Sequence, residues 1–557
     1  MTTAPARTAR VVRPRRPART AAPATKPRPV LTAAERRKRT VAWLLPVLVF
    51  LAAFVPRLQS VGSASSDEPA WLRRSVHYVN AYTTLDLTNA TSISEGGGTM
   101  PGITTAAVGG TARLLWSATR GLGISDDKFD FDESRRGLFM AQTLMALVNA
   151  LLIVGLWWVL WRWINRRVAT VAAVILATEP FLLVHGARLT TDSFVMLFGA
   201  LGAFATAAAL GIPRVQQNLT RRRNLAIVAG IGLAGAVASK LSFLTVLPFV
   251  AGLLVLAFLR RPRLERREIV GVLLATTISA VVVLAIAWPA LFLDPLGQLA
   301  VMRTSADQVG IERLQFFYGK VTDDPGFWFY PVVMAFRSTP WLFLLGLASP
   351  LAFIRRRTRP YAVLMVLYCF VPFVVITFAS LKYDRYTLPL WPAGAVLAAL
   401  VVDVLAHELG RLVPQTRRFL GPAIGVLLVG ITFASLTVTP DAGVYANPLL
   451  GGGPAAEDAI IIGGAAASRV GELIQDREGD ACDDRRIFAT RYGGHLRFPC
   501  GKLVDDPAKL RTGDYLIVDR LTLTRGKADL EDFLDRGRLV AHVRRRGVDL
   551  ADVILVK

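Results

Sequence analysis

Ligand-type side chains are scarce in this chain, with three cysteines and five histidines in 557 residues. No tight His/Asp/Glu cluster with ligand spacing occurs, so the expectation is a chemistry that requires no cofactor and no divalent metal. Acidic residues are outnumbered, 41 against 65 basic, for a net charge of +24. That excess does not signal a nucleic-acid partner, because the arginines fall mainly in short clusters between apolar stretches, the pattern that sets membrane orientation. No internal repeat is visible. No small-residue cleavage site follows the basic N-terminal run, so that run is not read as a removable signal.

Apolar sequence is abundant instead: 53% of residues are hydrophobic and the mean hydropathy is +0.43. Long apolar stretches recur along most of the chain, which predicts an α-helical polytopic membrane protein. Residues 1–40, rich in Arg, Pro, Ala and Thr, read as a disordered basic cytoplasmic arm with non-specific affinity for anionic lipid. About eleven spans follow, near 41–54, 138–161, 168–186, 193–212, 224–239, 241–259, 269–292, 339–354, 361–380, 388–405 and 420–438. Threading them in alternation puts every arginine cluster on the side of the arm. Two long loops, 60–137 and 293–338, then lie opposite, with the short connections at Lys240 and 382–385 and a tail from 439 to 557. The expected protein is a multi-pass cell-membrane protein with a cytoplasmic N-terminus, a transmembrane domain over 41–438 and an extracytoplasmic domain over 439–557.

The tail predicts a small α/β unit. Ala459-Ile460-Ile461-Ile462-Gly463-Gly464 and Tyr515-Leu516-Ile517-Val518-Asp519 read as short buried strands, with a helix at 465–477 and a last strand at 553–556. The glycines at 463–464 fit a plain strand-to-helix turn better than a phosphate loop. Cys369 sits in an apolar span as a small packed hydrophobe. Cys482 and Cys500 lie in the tail, where a disulfide between them is open to form if the tail is extracytoplasmic.

The first long loop carries Ser65-Ser66-Asp67-Glu68-Pro69. Adjacent carboxylates repel, so one is expected to bind its proton more tightly, which suits a group that accepts a proton near neutral pH. The same residues also fit a solvated acid pair opening a helix, with Pro69 in its first turn. On the expected topology, further polar residues converge on the same side. Arg188 and Asp192 flank a short turn, Lys240 interrupts an apolar hairpin, and Lys382-Tyr383-Asp384-Arg385-Tyr386 precedes another span. The second loop adds Phe327-Trp328-Phe329-Tyr330-Pro331 and Arg337. Cations of this kind can hold the oxygens of a lipid phosphate while the spans shelter its isoprenoid tail, and a carboxylate can deprotonate an acceptor hydroxyl. Each cation also fits an interfacial residue snorkelling to headgroups, and each Tyr or Trp a bilayer anchor.

Several stretches together resemble a known group: Asp67-Glu68, Arg188 to Asp192, Ala238-Ser239-Lys240, and Arg385-Tyr386-Thr387-Leu388-Pro389. Two longer ones are more particular, the run from Phe317-Tyr318-Gly319-Lys320 to Arg337-Ser338-Thr339-Pro340, and Tyr445-Ala446-Asn447-Pro448-Leu449-Leu450-Gly451-Gly452. They are similar in order and sidedness to motifs of the GT-C membrane glycosyltransferases of the family 39 type, which include protein O-mannosyltransferases and lipid A aminoarabinose transferases. The resemblance covers about residues 41–475. It implies an inverting transfer of a hexosyl or pentosyl group from a polyprenyl-phosphate donor to a hydroxyl on the outer face. It also implies Asp67 as the base with Glu68 beside it, and Arg188, Lys240, Lys382, Arg385 and Tyr386 at the donor phosphate. Asp192, Arg337 and Tyr330 would support them. One departure is Met100-Pro101-Gly102, where members often carry His-Pro; His77 and His185 do not stand at that position.

The implied partners are a polyprenyl-phosphate sugar, a protein, lipid or glycan acceptor, and membrane lipid. The alternative is a polytopic transporter or flippase for a lipid-linked or anionic substrate, which would favour paired halves and broken helices near the midplane. A scaffold acting through the tail would leave the first-loop carboxylates without a role.

Overall fold

The computed structural model describes residues 33–62, 65, 67–91, 101–124, 130–214, 218–259, 265–309, 315–379, 381–439, 441–460, 462, 466–489, 500–519 and 537–557, without the side chains of 33–43, 304–309 and 466–469. Residues 1–32 of the basic arm, Ser66, Met100, Arg260 to Arg263, Ile461, Gly463 and Gly464 lie outside that set. The chain divides into two compact units, Met1–Leu45 and Pro46–Lys557. Residues 33–45 of the first are helical, and the second carries the remaining elements.

Helix α1 (Ala33–Gln59) is followed by α2 (Glu68–Thr83) and α3 (Ile103–Gly121) in the first long loop. Then come α4 (Arg135–Trp163), α5 (Arg166–Thr178), α6 (Pro180–Ala187), α7 (Asp192–Ala209), α8 (Leu219–Ser239), α9 (Leu247–Leu259) and α10 (Arg266–Ala287). The second long loop holds α11 (Ala290–Leu293), α12 (Pro295–Val309), a hairpin of β1 (Gln315–Phe317) and β2 (Lys320–Thr322), and α13 (Phe329–Arg337). Helices α14 (Pro340–Leu347), α15 (Arg359–Phe378), α16 (Trp391–Leu412) and α17 (Arg417–Val438) complete the helical body.

Every one of the eleven expected apolar stretches falls on helical structure. Among the described residues, seven helices are long and apolar enough to cross a membrane, and α5 with α6, bent by 66° at their junction, makes an eighth if the pair counts as one span. Three stretches stop short of that test for visible reasons. The apolar part of α1, Leu44–Gln59, is short. Helix α8 opens on Arg221-Arg222-Arg223, and α14 is a brief helix continued by a 3₁₀ turn. This is a membrane protein.

Composition decides which helices are central. The span of α7, rich in Ala and Gly, is 94% buried, whereas those of α10 and α17 are 11% and 6% buried and turn apolar side chains outward. Helices α7 and α8 meet backbone to backbone, as small residues allow in a membrane. A Cβ on Gly232 would stand 2.4 Å from the Gly202 nitrogen, and one on Gly202 would stand 2.7 Å from the Leu233 nitrogen.

The bend between α5 and α6 follows from Glu179-Pro180. Proline lacks the N–H to continue the helix and pushes its predecessor to extended geometry, here φ −64°, ψ 122°. The carbonyls this frees are met by side chains. Arg57, fully buried, donates through Nη1 to Ala177 O (2.9 Å) and through Nη2 to Leu176 O (2.9 Å). Glu179 in turn accepts from Thr339 N (2.6 Å) and Thr339 Oγ1 (2.9 Å), capping α14. A broken helix is tolerated at this depth because its polar groups are satisfied within protein.

In the tail, α18 (Gly452–Ala459) and α19 (Ala466–Glu478) precede β3 (Arg486–Ala489), β4 (Lys502–Leu503), β5 (Tyr515–Asp519), β6 (Gly537–Arg545) and β7 (Val548–Val556). The strands form one sheet in the order β4-β3-β5-β7-β6, with β3 parallel to both β4 and β5 and the other pairings antiparallel. The expected strand at 515–519 is the buried centre of this sheet, the last strand lies within β7, and α19 matches the expected helix. Of the expected strand at 459–464, only Ala459, Ile460 and Ile462 are among the described residues. Ala459 ends α18, and Ile460 makes a single bridge to Phe317, because the preceding Gly-Pro-Ala segment favours a helical start. Cys482 and Cys500 form a disulfide, Cα–Cα 5.6 Å. The tail shares its core with the second long loop: Phe329, Tyr330, Val333 and Phe336 pack with Ile474, Ile487, Tyr515 and Val553.

Gly232→Ala should push α7 and α8 apart and cost about 1–3 kcal/mol, the usual penalty of overpacking. It should appear as a lower unfolding temperature of the purified protein in detergent, while Gly252→Ala, with open space around its Cβ position, should be neutral.

Candidate active site

Asp67 and Glu68 are neighbours with opposite fates. Successive residues at a helix start point about 100° apart, so the two carboxylates do not face each other. Asp67 precedes α2 without capping it and turns outward, its Oδ2 accepting from Arg385 Nη1 at 2.7 Å. Glu68 turns inward and is fully buried. Its Oε2 accepts from Ser65 N (2.5 Å), and its Oε1 from Gln142 Nε2 (2.8 Å) and Leu189 N (2.8 Å). Glu68 therefore ties the first loop to α4 and to the turn after α6. The expectation of a second catalytic carboxylate there is corrected, since both oxygens are committed to structure.

From Asp67 an ion-pair chain runs inward. Arg385 Nε lies 3.9 Å from Asp192 Oδ2, and Asp192 Oδ1 accepts from Lys240 Nζ at 2.7 Å. The Lys240 ammonium also faces the Tyr386 ring, 5.3 Å from its centre, and the Arg385 guanidinium the Tyr383 ring, at 5.1 Å. Side-chain exposure falls along the chain from 42% for Asp67 and 31% for Arg385 to 8% for Asp192 and 11% for Lys240. The site thus has an open end at Asp67 and a sheltered end at Lys240.

Local structure fixes each member. Asp192 opens α7, where the helix dipole favours a carboxylate. Lys240 is thrown out of α8 into extended geometry, φ −161°, ψ 139°. The first loop holds it there: Pro101 bridges to Lys240, Gly102 N donates to Ser239 O (3.0 Å), and Thr104 Oγ1 lies 2.8 Å from Ser239 Oγ. Helix α2 is pinned across the end of α10 by Tyr78, donating to Ala287 O (2.7 Å), and Tyr82, donating to Ile286 O (2.6 Å).

The remaining expected residues lie around this chain. Arg188 follows α6, its Nη2 standing 3.3 Å from where a Cβ on Gly443 would be. Arg337 is a clamp, donating to Asp384 Oδ2 (2.5 Å) and Gly443 O (3.0 Å). Tyr330 is fully buried in the core shared with the tail, and burial pushes its phenol well above the ordinary range. It supports the fold there, while Phe327 and Trp328 stay exposed.

Lys382 departs from the expected phosphate-binding set. Its side chain is 1% exposed and its Nζ donates to Asp324 Oδ1 (2.5 Å) of the second loop, while its backbone N–H donates to Gln315 Oε1 (2.8 Å). The bond from Lys382 holds the Asp324 carboxyl below the usual carboxylate range. The tether is therefore complete at neutral pH and is lost only as pH falls through that depressed value. Sequence reasoning missed Arg57 and Glu179, although ionisable residues inside apolar stretches were the available signal.

Residues 112–295, which include Arg188, Asp192 and Lys240, match the profile of the dolichyl-phosphate-mannose-protein mannosyltransferase family. The crystal structure of ArnT from Cupriavidus metallidurans in the apo state aligns with 93% of this chain and 98% of its own, at 14% identity and a TM-score of 0.53. The chain shares the fold of that structure. Among curated sequences, the chain is 27% identical over 301 residues to the undecaprenyl phosphate-alpha-4-amino-4-deoxy-L-arabinose arabinosyl transferase of Pectobacterium carotovorum, covering 52% of this chain and 49% of the relative. A protein of the same description from Proteus mirabilis is 24% identical over 281 residues, covering 49% and 47%. The chain spans about half the length of these relatives.

The two acids should separate by experiment. Glu68→Ala strands the buried Leu189 N–H and the Gln142 amide and should cost about 1–3 kcal/mol or more in unfolding free energy. Asp67→Asn, at the open end, should change stability by less than about 1 kcal/mol. Chemical denaturation of the two variants in detergent compares them directly.

Proposed function

We propose that the protein is an inverting glycosyltransferase that moves a sugar from a polyprenyl-phosphate donor to an acceptor hydroxyl at the outer face of the membrane. The observation that carries this reading is the single ion-pair chain Asp67–Arg385–Asp192–Lys240, open at its carboxylate end and sheltered at its cation end. The matched family and the curated relatives, described as acting on undecaprenyl-phosphate aminoarabinose, support the donor class.

In this proposal the donor phosphate enters between Arg385 and Lys240, with Arg188 beside them, and competes with the carboxylates for the cations. Arg385, drawn to the phosphate, releases Asp67. The acceptor hydroxyl oxygen attacks the anomeric carbon, its proton passes to Asp67, and the carbon–oxygen bond to phosphate breaks with the electron pair leaving on the phosphate oxygen. The products are the glycosylated acceptor and polyprenyl phosphate. Arg385 and Lys240 stabilise the charge that develops on the leaving phosphate. Asp192 positions both cations, and Arg337, through Asp384, fixes the backbone next to Arg385.

The orientation in the proposal is N-terminus cytoplasmic and tail extracytoplasmic. The arginine clusters at 166–167, 221–223, 355–357 and 417–418 support it, since threading the helices puts them at the opposite ends from the site.

The test is incubation of the purified protein in lipid with a panel of labelled polyprenyl-phosphate sugars and an acceptor extract, scoring release of polyprenyl phosphate. Asp67→Asn should lower kcat/KM by roughly 10²–10⁴-fold, the usual contribution of a general base, and normal turnover by that variant would overturn the assignment. The reaction as proposed uses no metal ion, so EDTA should leave the rate unchanged; restoration of a lost rate by added divalent ion would refute that part.

A further inference from the structure

The β6–β7 hairpin ends in Arg544-Arg545-Arg546-Gly547, and all three arginines are exposed. Tertiary structure carries this tip to the end of a membrane span. Arg546 Nη2 donates to Thr437 O at 2.7 Å, in the last turn of α17, from 109 residues away in sequence. Helix α17 turns Val426, Leu427, Val429 and Phe433 outward, all more than half exposed, as a lipid-facing helix does. The arginine tip therefore stands where the apolar span ends and the headgroups begin.

Two more features set the tip apart. The turn is a two-residue loop with φ +49° at Arg546 and +81° at Gly547, closed by pairing of Arg545 with Val548. Asn or Gly is at ease at the first of these positions, and an arginine there is strained. The local charge is also positive. Asp549 pairs with Arg544 at 3.3 Å, Asp552 pairs with His542, and Glu457 Oε2 accepts from Asp549 N at 3.3 Å, so among the described residues three arginines face two carboxylates at the tip.

We propose that this hairpin tip is a lipid-headgroup contact, in which Arg544, Arg545 and Arg546 engage the phosphates of anionic phospholipids in the leaflet where α17 ends. The shared feature of such lipids is a phosphodiester held at fixed depth, which a row of guanidinium forks beside a span can meet without any conformational search. The contact would hold the sheet, and with it the core shared with α13, against the membrane surface beside the site.

The test uses the full chain in nanodiscs of phosphatidylcholine alone or of phosphatidylcholine mixed with phosphatidylglycerol, read by hydrogen exchange at the amides of 544–548. Exchange should be slower in the anionic discs, by about fivefold for each arginine engaged, and the difference should vanish in high salt. The double variant Arg544→Gln/Arg545→Gln should lose most of the lipid effect, and Arg544→Lys/Arg545→Lys should retain it. Inorganic phosphate added to the neutral discs should not reproduce it. Equal exchange of the unaltered protein in both discs would overturn the proposal, as would an undiminished lipid effect in the Gln variant or full protection by inorganic phosphate alone. Should the Gln variant lose protection along the whole of β7, the comparison of the unaltered protein and the Lys variant between the two discs still decides.

Discussion

Two carboxylates and two cations share one line of contacts at the ends of four different helices, and none of the inner members is stable there alone. Taking an unpaired Asp192 or Lys240 out of water would cost several kcal/mol, and their side chains are about nine-tenths buried. Pairing offsets that cost, with Arg385 shared between Asp192 and Asp67. The same pairing makes the cluster responsive. An anionic group arriving at the cations competes with the carboxylates already there, and the most exposed member, Asp67, is the one most easily released. Cohesion and proposed chemistry thus draw on the same charges.

Such a line holds only if the backbones that carry it are fixed, and the chain does this with polar side chains directed at main-chain groups. Arg57 occupies the carbonyls freed by the Glu179-Pro180 break, and Glu179 caps α14. Glu68 gathers Ser65, Gln142 and Leu189, so that the first loop, α4 and the turn before Asp192 move as one. Tyr78 and Tyr82 cap α10, and Arg337 holds the 443–445 segment to Asp384. In each case a polar side chain meets a main-chain or polar partner, and where the pair is buried neither group is left without one. The result is a frame that lies outside the proposed chemistry but sets the distances within it.

Most of the helical body could be read from the sequence, because apolar stretches long enough to span a bilayer and arginines at their ends are local features. The convergence of Asp67, Asp192, Lys240 and Arg385 was also within reach, since alternating topology puts all four at one end of the helices. The directions of the side chains were not. Asp67 and Glu68 look alike as a dipeptide, yet one faces Arg385 and the other is sealed inside, a difference set by the rotation of α2 against α4. Lys382 and Arg385 sit three residues apart, and only the position of Asp324 in the second loop draws the first away from the site. The run at 459–464 reads as a strand, whereas Ala459 ends α18 and Ile460 makes a bridge to Phe317.

Composition and periodicity act within a few residues, and they suffice for a membrane protein of many helices, the ends at which its charges collect, and the buried β5 strand at 515–519. Long-range packing settles which acid faces the cations, that the tail and the second loop share one core, and that Arg546 meets Thr437. Those outcomes depend on the packing of segments up to hundreds of residues apart, where the cost of leaving a buried polar group unpaired selects one arrangement among many with the same local pattern.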